Sequence, residues 1–110
     1  MKNWKINNSY NGTLIDAKQR NKEHPNSFLL EDESKLLSLA IGDFVKIGLE
    51  CNDTNVYAER FWVQICCINL DRNEIIGCVD NDLVNATNYC LKYKDYIRFS
   101  IENIMSIYKV

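Results

Sequence analysis

The sequence predicts an α+β domain: two short N-terminal helices followed by a bent antiparallel sheet of about five strands, of the SH3-like small-barrel type. Its 110 residues are 46% hydrophobic and include one proline, a composition typical of one globular domain. The apolar residues have a helical period up to about residue 40 and then the period of strands. We therefore expect a single domain over residues 1–110, with an N-terminal segment at 1–12, a helical segment at 13–40 and an antiparallel β core at 41–110.

The helical segment carries start and stop signals for two helices. Thr13 and Asp16 have the spacing of a capping box, which predicts a helix from about Leu14 to Glu23 that Pro25 ends. Its apolar stripe is narrow, so it must dock on a larger element. Acidic residues at 31–33 precede a run of leucines, which predicts a second helix ending at Gly42.

The β core begins with two strands and a hairpin. Phe44 to Glu50 alternates between apolar and polar or small residues, as expected of a strand with one face in water. Arg60 to Ile68 is apolar on both faces and rich in strand formers, which predicts the central strand. The turn at Asp71 to Asn73 and the strand at Glu74 to Val79 complete a β-hairpin.

The C-terminal part of the β core is less regular. Residues 83–90 fit either an irregular loop or one helical turn. Alternation resumes at residues 96–101, Asn103 marks a turn, and residues 105–110 can form a terminal strand.

Two segments of the chain share one pattern. Leu39 to Ile47 and Leu91 to Phe99 both contain an aspartate followed by two apolar residues, a basic residue and an apolar residue. This pattern predicts a tight turn in which Asp43 or Asp95 accepts a backbone hydrogen bond just before a strand. Both segments are expected to enter the sheet in the same way.

Several of these segments, in their order and spacing, together resemble the YegJ-like bacterial domain of unknown function. The segments are His24 to Phe28, the acidic start of the second helix, Ile41 to Ile47, Glu59 to Val63, Gly77 to Asp82 and Leu91 to Phe99, and the resemblance extends from about Ile15 to Ile107. Two departures are Leu83, where the family often has proline, and Lys94, where glycine is usual. Because members also resemble some immunity proteins of polymorphic toxin systems, the resemblance implies a fold and a protein partner but no reaction.

Charge and cysteine content exclude several classes of function. Thirteen basic and fifteen acidic side chains give a net charge of -2, which disfavours duplex nucleic acid as a ligand. No apolar run reaches the roughly 20 residues that span a bilayer, and the N-terminus lacks a secretory signal, so we expect a cytoplasmic protein without membrane contact.

Five cysteines without a C-x-x-C pair, beside the single histidine His24, form neither a disulfide framework nor a zinc site. Reduced, mostly buried thiols are expected, with Cys66 and Cys67 on opposite faces of a strand, and no cofactor, metal or catalytic residue is assigned.

Six residues are the candidates for binding a partner. Glu59, Arg60 and Trp62 lie close together on the central strand, and Arg and Trp are frequent anchors of protein interfaces. The alternative is that Trp62 fills the barrel while Arg60 pairs with Glu59 or another acid. Asp80, Asn81 and Asp82 are the other candidates; their spacing lacks the features of a calcium loop and favours a turn that caps its own backbone.

The sequence thus predicts a cytoplasmic, non-enzymatic protein-binding module, with an immunity-type inhibitor of a basic toxin domain as its specific form. An acidic surface can steer onto a basic partner. One alternative is a single-stranded nucleic-acid-binding barrel using Tyr93, Tyr96 and Arg98. A second alternative is a cofactor-free enzyme with a Cys/His pair.

Overall fold

The computed structural model describes residues 4–110 and confirms an α+β fold with a curled antiparallel sheet that forms a half-barrel. Within these residues the sheet has six strands: β1 (Thr13–Leu14), β2 (Phe44–Glu50), β3 (Glu59–Asn69), β4 (Glu74–Val79), β5 (Tyr96–Phe99) and β6 (Ser106–Tyr108). The short α-helices are α1 (Ala17–Glu23), α2 (Glu33–Leu37) and α3 (Ala86–Tyr89), and single 3-10 turns lie at Leu70–Arg72 and Ile101–Asn103. Residues 1–3 of the predicted N-terminal segment lie outside the described residues.

The order of the strands places β3 at the centre of the sheet, as predicted. The main path is β1-β2-β3-β4-β5, and β6 also pairs with β2. β1 pairs with the end of β2 at Leu49 and Glu50, whereas β6 pairs with its beginning at Phe44 to Lys46. Two short strands therefore share one edge of β2, which leaves little of that edge unpaired.

The predicted start of the first helix is wrong, and the short strand β1 joins the about five strands that the sequence predicts. Thr13 does not cap a helix; it pairs with Glu50 as part of β1, and the amide of Ile15 donates to the carbonyl of Gly48 at 2.9 Å. The N-cap is Asp16, which accepts a hydrogen bond from the amide of Gln19 at 3.0 Å. Pairing with β2 buries Ile15, and this gain overrides the local capping signal.

The second helix ends earlier than predicted. Asp32 caps α2 by accepting from the amide of Ser34 at 3.5 Å, and the helix ends at Leu37 rather than at Gly42. Gly42 lies instead in the turn before β2, with a φ of +98°. Its amide donates to the carbonyl of Ile65 on β3 at 2.8 Å, so this turn is tied to the sheet and not to the helix.

The two aspartate turns form as predicted. The carboxylate of Asp43 accepts from the amide of Ala40 at 2.9 Å, and that of Asp95 accepts from the amide of Lys92 at 3.1 Å. Each turn leads directly into a strand, β2 in one case and β5 in the other.

The main core fills the concave face of the sheet. Val45, Ile47 and Leu49 of β2 point into it, and Tyr89 and Leu91 cover it from the segment around α3. The opposite face of the sheet, which we call the outer face, carries the alternate residues of β2, including Lys46 and Gly48.

A second, smaller apolar cluster packs on the outer face. It consists of Ile15, Ala17 and Met105 with Phe28 against them. A Cβ on Gly48 would lie 2.9 Å from the side chains of both Ile15 and Met105. The absent side chain of Gly48 therefore allows α1 and its flanking segments to sit directly on β2.

The cysteines are less buried than predicted. The prediction that Cys66 and Cys67 lie on opposite faces depends on regular alternation along β3. A β-bulge between Ile65 and Cys67 breaks that alternation. Four cysteines are half-buried and Cys90 is exposed; none within residues 4–110 forms a disulfide. None of the helices in that part of the chain has the length and apolar character that crossing a membrane requires.

Candidate partner-binding surfaces

Glu59 is bound within the protein and does not project as a free anchor. Its two carboxylate oxygens accept hydrogen bonds from the amides of Val84 and Asn85, at 2.6 and 2.8 Å. These amides lie just before α3, so Glu59 ties the start of β3 to the segment that covers the core. These two hydrogen bonds hold that segment against the start of β3.

The segment after β4 binds β3 through its backbone and through Asn81. The amide of Asp80 donates to the carbonyl of Trp62 at 2.9 Å, and the side-chain oxygen of Asn81 accepts from the amide of Trp62 at 2.5 Å. The side chain of Asn81 thereby accepts the hydrogen bond of the Trp62 amide, which the backbone of a paired strand would otherwise accept. Asp80 and Asp82 are exposed, and no group of three or more metal-ligating side chains occurs in the described part of the chain.

Trp62 lies on the outer face and does not fill the barrel. It is half-buried, and the ammonium group of Lys46 lies 5.1 Å from the centre of its ring. Arg60 does not pair with Glu59; its guanidinium lies 5.3 Å from the centre of the Phe28 ring. The structure therefore brings Trp62 together with residues 80–82 at one end of β3 and separates the side chain of Arg60 from that of Glu59.

Aromatic side chains extend across the outer face beyond Trp62. Trp4 packs on Tyr96 with ring centres 5.0 Å apart, and Phe44 meets Tyr108 edge-on at 6.5 Å. Arg98 pairs with Glu74 at 3.5 Å, while Tyr93 is exposed in the turn before β5. Tyr96 and Arg98 thus share the outer face, and Tyr93 lies outside it.

An apolar groove that no sequence pattern predicted lies between α2 and the turns at the far end of the sheet. It encloses about 390 Å³. Leucines and one isoleucine form its walls and acids form most of its rim; the lining residues are Lys18, Leu30, Glu31, Glu33, Leu36, Leu37, Leu70, Asn73, Ile101 and Glu102. We call this cavity the leucine groove.

Three leucines of the leucine groove are exposed to an extent unusual for their type. Leu37 is 71% exposed, Leu70 47% and Leu30 41%. Leu36 and Ile101 are half-buried against the main core, so the floor of the groove is continuous with the core while its lip is open. Apolar surface of this kind, rimmed by polar groups, marks interaction sites. The leucine run after residues 31–33 was the available signal, but it predicted only a helix.

Hydrogen bonds hold the acids of the rim in place. The side-chain amide of Asn73 donates to both oxygens of Glu102, at 2.9 and 2.7 Å, and this contact lowers the pKa of Glu102 below its usual value. Glu31 accepts from the amide of Ile107 at 2.9 Å and pairs with Lys35 at 3.6 Å. Glu102 is therefore ionised at neutral pH, and it adds negative charge to the rim.

His24 and Cys78, two residues that the Cys/His alternative could use, differ in their surroundings. His24 is exposed at the C-cap of α1. Burial raises the pKa of the Cys78 thiol, and its sulfur contacts the carbonyl of Lys94 at 3.6 Å. A raised pKa reduces the thiolate fraction and so the nucleophilicity of Cys78 at neutral pH.

Comparison of the chain with protein-family models, with curated proteins and with solved structures finds no significant match. The class of protein is therefore defined by the fold and surfaces themselves: a small α+β protein whose curled antiparallel sheet carries its candidate surfaces outside the core.

Proposed function

We propose that the protein is a bacterial, cytoplasmic, non-enzymatic protein-binding module that takes up an apolar and basic segment of its partner in the leucine groove. Its specific form is an inhibitor of the immunity type, directed at a basic toxin domain. As part of this proposal, the curled sheet is a small barrel of the SH3-like type, and two N-terminal helices precede most of its strands in the chain. The resemblance to the YegJ-like domain supports the immunity context.

The observation that carries the proposal is the combination of exposed leucines and acids in one cavity. Leu37 and Leu70 offer apolar area that contributes about 25 cal/mol per Å² when a partner covers it. Glu33 and Glu102 on the rim favour a partner with positive charge and disfavour acidic ones. Lys18 is the single cation among the lining residues, so the rim remains acidic on balance.

The test first asks whether a gene beside this one in the native genome encodes a basic toxin domain, and the absence of such a gene contradicts the immunity form of the proposal. Where the gene is present, the whole chain is tested with that domain. Both are purified, and binding and toxin inhibition are measured for the wild type, Leu37→Ser and Leu70→Ser. We expect each substitution to weaken binding at least tenfold, because groove leucines are replaced by small polar groups. The matched control is Ile41→Ser, since Ile41 is 70% exposed but does not line the groove. Equal affinity of the wild type and both groove variants, or the absence of any binding to that domain, contradicts the proposal.

A second candidate function is the binding of single-stranded nucleic acid on the outer face. The pairs Trp4–Tyr96 and Phe44–Tyr108 provide aromatic rings on which bases could stack, and Lys46, which has no ion pair within residues 4–110, adds positive charge. It predicts binding of an oligonucleotide that weakens steeply with salt and is reduced by Tyr96→Ala. A flat titration at low salt excludes it.

A further inference from the structure

A small notch lies between the outer face and the loop that follows α1. Its volume is about 100 Å³. Its polar lining comes from Lys46, Arg60, Ser27 and Ser106, and Phe28 and Met105 form an apolar wall. We call it the basic notch; it shares no lining residue with the leucine groove.

The two cations of the basic notch have no acidic partner within residues 4–110. The four ion pairs there involve Arg20, Lys35, Arg98 and Lys109. Lys46 and Arg60 instead rest on the rings of Trp62 and Phe28. Most of the charge on both groups therefore remains available to an anion.

The register of the sheet brings these two cations together. Lys46 pairs with Trp62, and Gly48 pairs with Arg60, so Lys46 and Arg60 are diagonal neighbours on the outer face. Diagonal neighbours have Cα atoms about 7–8 Å apart, so two long side chains at these positions can both reach one small anion.

The apolar wall of the notch is held in place before any ligand binds. The amide of Phe28 donates to the carbonyl of His24 at 2.8 Å, and the side-chain amide of Asn21 donates to the carbonyl of Phe28 at 2.8 Å. Phe28 also packs against the second apolar cluster. The ring that supports Arg60 is therefore fixed, which reduces the entropy that the guanidinium loses on binding.

We infer that the basic notch binds a phosphate group, either as inorganic phosphate or as the phosphate of a small monoester. A guanidinium offers two parallel donors, an ammonium offers a point charge, and the two serine hydroxyls are further donors. The donors that line the notch come from several elements, and a tetrahedral oxyanion with three or four acceptor oxygens can use more of them than a planar carboxylate. This inference concerns a different surface from the leucine groove and stands independently of the proposed function.

The experiment titrates the full chain with inorganic phosphate, and separately with glycerol phosphate, at constant ionic strength set by chloride. Side-chain Nε resonances of arginine and the fluorescence of tryptophan report binding, because Arg60 and Trp62 lie in or beside the notch. We expect saturable shifts of the Arg60 resonance with either probe. Tighter binding of glycerol phosphate identifies a monoester as the ligand, and equal affinity identifies the free anion.

Three variants locate the binding. Lys46→Gln and Arg60→Gln are expected to weaken binding at least tenfold, and Arg60→Lys, which keeps the charge but loses the two parallel donors, several-fold. Arg98→Gln is the matched control, since it removes one positive charge from the same face but pairs with Ile76 at the other end of the sheet. Thermal unfolding of each variant checks its fold. Shifts that do not saturate in the wild type, or an equal loss in Arg98→Gln, overturn the inference.

Discussion

Gly42 and Lys94 occupy equivalent positions in two turns of the sheet, and both have a positive φ, +98° and +78°. Each precedes the aspartate of its turn. The amide of Gly42 donates a hydrogen bond to the carbonyl of Ile65 in β3. The amide of Lys94 donates one to the carbonyl of Val79 in β4. The internal pattern of the sequence is therefore matched by backbone conformation, and Lys94 adopts a conformation that favours glycine.

We expect Lys94→Gly to stabilise the protein. A left-handed conformation costs an L-residue about 1–2 kcal/mol, whereas the extra freedom of glycine in the unfolded chain costs about 0.4–1 kcal/mol. The net gain is therefore about 0.5–1 kcal/mol in the free energy of unfolding, measured by urea denaturation. Gly42→Ala is the reverse case and should lose about 1 kcal/mol, because open space surrounds Gly42 and only its φ opposes a side chain. A destabilised Lys94→Gly would contradict this account of the turn.

Asp43 should make the stability of the protein depend on pH in acid. Burial alone would raise the pKa of this carboxyl. The carboxylate accepts hydrogen bonds from Lys109, Ala40 and Val110 and lies beside the charge of Lys109. Together these contacts outweigh the effect of burial and lower the pKa below the usual 3.8. A group whose pKa is lowered on folding contributes stability above its unfolded pKa and loses it as the pH falls through its folded pKa. Unfolding free energy should therefore decrease as the pH is lowered from about 3.8.

Asp43→Asn tests this assignment. It should cost about 1–3 kcal/mol at neutral pH and flatten the acid part of the stability profile, because the buried hydrogen bonds lose their charged acceptor. Asp71→Asn, at an exposed turn, is the control for removing one carboxylate. An unchanged acid profile in Asp43→Asn would assign the pH dependence to other carboxyls.

Glu59→Gln should affect stability more than partner binding. Both oxygens of Glu59 accept amide hydrogen bonds, and glutamine keeps one acceptor oxygen, so a loss of about 1–2 kcal/mol is expected. The amides of Val84 and Asn85 should exchange hydrogen faster, which NMR measures directly. The exposed Glu33→Gln should leave both amides unchanged. If Glu59→Gln weakens partner binding while these amides stay protected, Glu59 is an interface anchor after all.

Cys90 should be the first cysteine to react with a maleimide reagent. It is exposed, whereas the other four are half-buried and burial raises the pKa of Cys78. Cys90→Ser should remove one equivalent from the fast phase of labelling followed by mass spectrometry. A fast phase that survives this substitution would contradict the prediction, reveal a second accessible thiol and support the interpretation as a Cys/His enzyme.

Local sequence signals predicted much of the sheet. The bounds of β2 and β4 agree with the alternation and the turn residues, and the Asp43 and Asp95 turns form as their spacing indicates. These features depend on residues only a few positions apart, so one stretch of sequence contains the information. The surroundings of the candidate site residues were harder to predict, because no local pattern indicates that the carboxylate of Glu59 accepts hydrogen bonds from the amides before α3.

Only the tertiary structure decided the features that depend on pairing between distant segments of the chain. β1 replaces the predicted helix start because Thr13 and Leu14 pair with β2. Trp62 lies on the outer face beside Lys46 because the register of β2 and β3 pairs these two residues. The leucine groove depends on α2 meeting turns that follow it by more than 30 residues. The sequence by itself determined β2, β4 and the aspartate turns before β2 and β5, since periodicity and turn chemistry are local. Which surfaces remain open was decided only by folding, because it depends on contacts between segments far apart in the chain.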